Sequence, residues 1–200
     1  MTDRRAPSGA TPNPALGGAL RILTGILRLA RGRAEGFGHF PDSPQGFLTS
    51  LAPLLAFPLA GSVLMLAGGE GGAAVADLLA TVCAVLAPAV LTHALARLWG
   101  REAPWLRFII AFNWCQWIIP VAATAVLALA GIAIQLGLTT STAAILAMGL
   151  LGGYGMWLHF FLARRGLGIS PGRAALLVIV VNLGTVLLVI VPRLLFMAAR

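Results

Sequence analysis

Charge is what this sequence has least of. Only 10% of its 200 residues are Asp, Glu, Lys or Arg, while 59% are hydrophobic; soluble domains carry about a quarter charged residues. The few charges stand between long apolar runs, a pattern that excludes a water-soluble core and points to several transmembrane helices. Lysine is absent: all fourteen basic side chains are Arg, which reads as a genomic composition bias of bacterial type rather than as chemistry. Cysteine is nearly absent too. Cys83 and Cys115 both fall inside apolar runs without CxxC spacing, which argues against a disulfide framework; such buried thiols behave as small apolar residues. Catalytic motifs are also missing. There is no HExxH, no GxSxG, no GxxxxGK[ST] and no pair of carboxylates. Intramembrane catalysis needs a nucleophile with a base or a bound metal, so a non-enzymatic protein without a cofactor is expected.

The net charge of +8 would suit nucleic acid if the basic residues formed one patch. Instead they alternate along the chain between apolar runs, as topology signals do in membrane proteins, so a nucleic-acid partner is excluded and membrane lipid is expected.

What is present is an all-α, polytopic bundle of five spans. Residues 1–14 are polar with three prolines and read as a disordered tail. No cleavable signal peptide is evident, since the first spanning run begins near Leu48. Over residues 15–34, Leu16, Leu20, Leu23, Ile26, Leu27 and Ala30 recur at helical spacing, with Arg21, Arg28 and Arg31 on another side. That segment is too short and charged to span. It reads as an amphipathic helix lying on the inner membrane surface or packed on the protein's own cytoplasmic loops. Residues 1–46 thus form a cytoplasmic N-terminal region and 47–200 a membrane domain, with spans at about 47–67, 73–99, 105–131, 140–163 and 174–191. The third run, Trp105 to Gly131, is the most distinctive, carrying Asn113-Trp114-Cys115-Gln116-Trp117 and then Pro120.

Orientation follows from counting Arg. The N-terminal segment has six, the loop after the second span three and the loop after the fourth span three, against two in the C-terminal tail. That excess places the N-terminus in the cytoplasm of a multi-pass protein of the cell inner membrane. Arg21, Arg28, Arg31, Arg101, Arg107, Arg164 and Arg165 are then candidate contacts for lipid headgroups, because cytoplasmic leaflets carry anionic lipid.

Two stretches carry a family resemblance. One is the basic loop leading into the third span, ALARLWGREAPWLRFIIAF; the other is the end of the fourth span and start of the fifth, MWLHFFLARRGLGISPGRAALLVIV. With the span count and length, they make the last hundred or so residues resemble the Yip1 family of five-span membrane proteins. The Asp-Leu-Tyr-Gly-Pro motif of its eukaryotic members is absent. The resemblance implies a five-helix fold with a cytoplasmic N-terminus and a membrane scaffold or membrane-organising role, with a membrane-protein partner or a second copy of the chain as associates.

Polar side chains inside spans are costly and so are candidates for function. Asn113, Gln116, Trp117, Pro120 and Thr124 share one stripe of the third span, at steps of about 100° per residue. Pro120 has no N–H, which frees the Gln116 carbonyl. Asp77, Thr81, Pro88 and Thr92 share a face of the second span, with Asp77 near its outer end. Ser141, Met148, Gly152, Gly155 and His159 align on the fourth, where small residues are expected to let another helix approach closely. His93, Asn113, His159 and Asn182 lie at similar depth on four helices, with Gln116 close by. If this polar layer converges, it is a candidate site for a headgroup or small solute, and the protein is a small transporter or lipid-handling protein. If it scatters, each group is local packing. Two histidines fall short of the three or four ligands of a zinc site, so no metal is expected.

Overall fold

The computed structural model describes residues 14–69 and 71–198. The expected N-terminal tail therefore lies almost wholly outside the described residues, as does the side chain of Asp77. Among the described residues the chain forms seven α-helices, one 3₁₀ segment and no strand. They are α1 (Pro14–Ala30), the 3₁₀ segment Ala34–His39, α2 (Pro44–Ala67), α3 (Gly71–Leu98), α4 (Glu102–Cys115), α5 (Ile118–Gln135), α6 (Thr140–Gly166) and α7 (Pro171–Ala198). Five helical stretches are long and apolar enough to cross a membrane: Pro44–Ala67, Leu78–Leu98, Glu102–Gln135, Thr140–Gly166 and Pro171–Leu188. This is a multi-pass membrane protein with the span count the apolar runs require.

Helix ends follow local chemistry. Ser43 caps α2, its Oγ accepting from the Gly46 N–H at 3.2 Å, with Pro44 at the first helical position, where a missing N–H costs nothing. Thr139 caps α6 in the same way through the Thr142 N–H at 3.3 Å.

The third span is not one helix. Residues 102–135 would make a rod of about 50 Å, well beyond the roughly 30 Å hydrocarbon core. The chain instead breaks at Gln116–Trp117, between α4 and α5, four residues before the proline that cannot close the ladder. The two pieces then differ completely. α4 is central: Phe108 to Asn113 are all buried, as is Cys115, and it packs on α1, α2, α3 and α6. α5 has no buried residue and packs chiefly on α6.

The core is accordingly one-sided. It is built from α4 together with Leu158, Leu162 and Ala163 of α6, Ala174, Leu177 and Val181 of α7, and Ala89 and Ala96 of α3, all in the half of the bundle carrying the arginine-rich loops. In the other half, Val121, Leu127 and Leu129 of α5 and Leu146 and Met148 of α6 are exposed, as lipid-facing side chains are.

α1 packs on the protein itself, against the 3₁₀ segment, α4 and α6. Its Ile22, Ile26 and Leu29 join the core, and the Tyr154 hydroxyl donates to the Ala30 carbonyl at 3.0 Å. Gly32, at φ +73°, lets the chain reverse so that the 3₁₀ segment folds over α1. The approach is close: a Cβ at Gly36 would lie 2.8 Å from the Gly25 carbonyl oxygen and 2.7 Å from Leu29. Yet Leu16, Leu20, Leu23 and Leu27 remain exposed on a separate stripe. The helix therefore has a protein-facing side, a leucine side and an arginine side.

Candidate functional site: a polar layer between two cavities

Four of the five residues of the expected polar layer converge. Asn113 at the end of α4, Gln116 at the helix break, His159 of α6 and Asn182 of α7 all line one cavity of about 370 Å³. Its other walls are Leu54 of α2, Thr81, Val85 and Pro88 of α3, Phe112, and Thr185 of α7. The break brings Gln116 here: in the turn between two helices its side chain is held by neither, and it makes no side-chain hydrogen bond among the described residues.

The other groups are oriented by neighbours. The Asn113 amide is buried and donates to Ser50 Oγ at 3.0 Å, while Ser50 donates to the Phe47 carbonyl at 2.7 Å. Asn182 Nδ2 donates to the Val178 carbonyl at 2.8 Å and lies 3.5 Å from His159 Nδ1. The imidazole rests on the Phe112 ring, with centroids 4.8 Å apart. Beside the layer, Trp117 packs on Phe57 at 5.3 Å, and its buried Nε1 has no hydrogen-bond partner among the described residues.

Gln116, His159 and Asn182 also line a second cavity of about 530 Å³, with Ile119, Pro120, Leu151, Gly152, Gly155 and Met156. These three side chains form the partition between two spaces. The second space lies between α5, α6 and Asn182 of α7, where the glycine face of α6 is partly open. A Cβ at Gly149, Gly152 or Gly153 would meet nothing within 4 Å. Helix packing was expected on that face; among the described residues it is found only at Gly155, where a Cβ would lie 3.5 Å from Ile119 of α5.

No family model, curated protein or solved structure matches this chain. Its chemistry must be read from the site alone. The cavity lining holds amides, an imidazole and threonine hydroxyls, and no charged side chain. Such a set donates and accepts hydrogen bonds in apolar surroundings, and suits a polar group without net charge. Among the described residues no three of His, Cys, Asp and Glu come together.

His93 stands apart from the layer. Its ring packs on Trp105, with centroids 4.5 Å apart, and it lines a different groove with Arg97. Depth alone grouped His93 with the layer; its place in the helix, one residue past Thr92, already turned it to a different side from Thr81, Pro88 and Thr92.

All seven arginines singled out from the sequence are exposed, and they sit on α1, in the turn after it, or on or beside the α3–α4 and α6–α7 loops. Two are engaged by the protein: Arg21 Nε donates to the His39 carbonyl at 3.1 Å, and Arg107 pairs with Asp42 at 3.2 Å. Among the described residues Arg28, Arg31, Arg101, Arg164 and Arg165 have no such partner. Sequence reasoning missed Ser50 as the partner of Asn113 and Thr185 as part of the cavity wall. Thr185 stands three residues after Asn182, which puts it on the same helix face. Nothing in the sequence singles out Ser50.

Proposed function

We propose that this protein is a non-enzymatic, multi-pass protein of a bacterial inner membrane that binds an amphiphile or small solute with an uncharged polar group in the central cavity. The observation carrying this reading is that Asn113, Gln116, His159 and Asn182 meet on one cavity from three helices and a helix break. Gln116 brings an unengaged amide to both cavities, and an amide in apolar surroundings gains from any partner that a ligand offers. The opening beside the glycine face gives a lipid-borne molecule a lateral route to the partition.

The test is to solubilise the protein gently from native membranes and identify what stays bound by mass spectrometry. A narrow class of uncharged-headed molecules is expected, and Gln116→Leu with Asn182→Leu should lower its retention about tenfold, the worth of one or two hydrogen bonds. Equal retention by wild type and variant would reject the reading.

A second reading has its own observation. The leucine stripe of α1, flanked by unpaired Arg28 and Arg31, favours a membrane-organising role of the kind the Yip1 resemblance implies, through a lipid surface, a membrane-protein partner or a second copy. Deleting α1 is the wrong test, because Ile22, Ile26 and Leu29 belong to the core. Leu20→Asp with Leu23→Asp alters only the exposed stripe. That pair should leave the unfolding temperature within a few degrees while abolishing capture of the partner, or protection of α1 from trypsin in vesicles. If both survive, the stripe has no such role.

A further inference from the structure

A further cavity is a separate site that the central layer does not involve. It is a groove of about 780 Å³ along α3, walled by Phe47 of α2 and Trp105 of α4. Leu86, Val90, His93 and Arg97 succeed one another along it, at the four- and three-residue steps that keep one helix face. From Leu86 to Arg97 the helix rises about 16 Å, close to the roughly 15 Å hydrocarbon depth of one leaflet. Polarity changes in order along this line: aliphatic, then imidazole, then guanidinium at the end of the span. A phospholipid has the same order, from acyl chain to glycerol ester to phosphate.

The head of the groove ends in Arg97, which is paired with a neighbouring carboxylate. Arg97 Nε lies 3.6 Å from Glu102 Oε1, which leaves the two terminal guanidinium nitrogens unengaged among the described residues. One guanidinium and one carboxylate therefore stand side by side and exposed. Arg101 does not add to them, since its Nη1 is turned to the α6–α7 loop, 4.0 Å from where a Cβ on Gly168 would lie. The groove wall is set before any ligand arrives: Trp105 Nε1 donates to the buried Thr92 hydroxyl at 3.0 Å, and His93 lies against the indole.

We infer that this groove binds one phospholipid with a zwitterionic phosphoethanolamine head, its phosphate on Arg97, its ammonium on Glu102 and an acyl chain along Val90 and Leu86. The Arg97–Glu102 pair offers one charge of each sign, which suits a zwitterion better than an anion. A primary ammonium donates hydrogen bonds to a carboxylate, which a quaternary ammonium cannot do. His93 sits one turn below Arg97 and faces the ester level, where its ring N–H can donate to a carbonyl.

The test uses the purified full-length protein, delipidated and offered equimolar phosphatidylethanolamine, phosphatidylglycerol and phosphatidylcholine of matched chains, with bound lipid counted by native mass spectrometry. Phosphatidylethanolamine should be retained about fivefold over the other two, and Arg97→Gln should lower its retention about tenfold, the worth of a charge-assisted contact. Glu102→Gln should erase the preference over phosphatidylglycerol. Val90→Trp, which fills the groove from an exposed position, should reduce binding of all three lipids. Gln116→Leu with Asn182→Leu should change none of this, so the two sites fail or stand separately. Equal binding of the three lipids by wild type, a preference for phosphatidylglycerol, or binding unaffected by Val90→Trp would overturn the proposal. Should Val90→Trp not fold, Arg97→Gln decides alone, since Arg97 is largely exposed and the fold does not depend on it.

Discussion

Phe108→Ala is expected to lower stability by about 3 kcal/mol, the usual range for emptying a fully buried aromatic site, and to loosen α1 from the bundle. Phe108 is fully buried where α4, α6 and the 3₁₀ segment meet. Its ring lies against Phe112 at 5.8 Å. A Cβ built on Gly166 would stand 2.8 Å from Phe108 and 2.9 Å from Phe37, so Phe108 and Phe37 close on that glycine from two sides. Removing the ring leaves the 3₁₀ segment without its seat, and α1, which packs beneath that segment, should follow. Two measurements check this: the unfolding midpoint in detergent, and trypsin cleavage after Arg28, Arg31 or Arg33, which should speed up markedly. Phe108→Leu should recover most of the loss because it keeps most of the volume. Unchanged cleavage with a lowered midpoint would show that α1 is held independently of Phe108.

Asn113→Leu combined with His159→Leu should cost the central site on the order of fiftyfold in ligand retention while leaving the bundle folded. Each side chain offers one hydrogen-bonding group to the cavity, worth about 1 kcal/mol or somewhat more in apolar surroundings, and tenfold corresponds to about 1.4 kcal/mol. The cost in stability is smaller. The interhelical bond from Asn113 to Ser50 is worth about 0.6 kcal/mol in a membrane protein. Ser50 stays satisfied by the Phe47 carbonyl. At position 159, leucine fills much of the space that the ring now occupies against Phe112. The unfolding midpoint and the amount of retained molecule should therefore part company. If both collapse together, these residues serve the fold; if neither moves, the cavity holds nothing that depends on them.

Much of this architecture follows from the chain's apolar runs. Five runs of about twenty residues separated by charge or glycine allow only membrane-crossing helices, since backbone polar groups in lipid must be satisfied within the segment. Pro120 marked the Gln116 carbonyl as freed within the third run, because a proline has no N–H to offer it whatever surrounds it; that the helix breaks there was not marked. The helical spacing of Asn113 and Gln116 placed them on one stripe, and Asn182 and His159 at matching depth, because rise and twist per residue are constants of the helix.

Tertiary structure decided the rest, because rise and twist do not say how a helix is rotated against its neighbours. It divided one apolar run into a buried α4 and an uncovered α5. It turned Asn113, Gln116, His159 and Asn182 to one cavity while His93, at a similar depth, faced another with Arg97. It gave α1 a core face that its leucine stripe had obscured, because Ile22, Ile26 and Leu29 look no different in sequence from Leu20, Leu23 and Leu27. It left Gly149, Gly152 and Gly153 of α6 open where close packing was expected, and closed on Gly155 and Gly166. Each depends on which surfaces meet, a property of pairs of helices, whereas the number of crossings and the polarity of their ends belong to each segment alone.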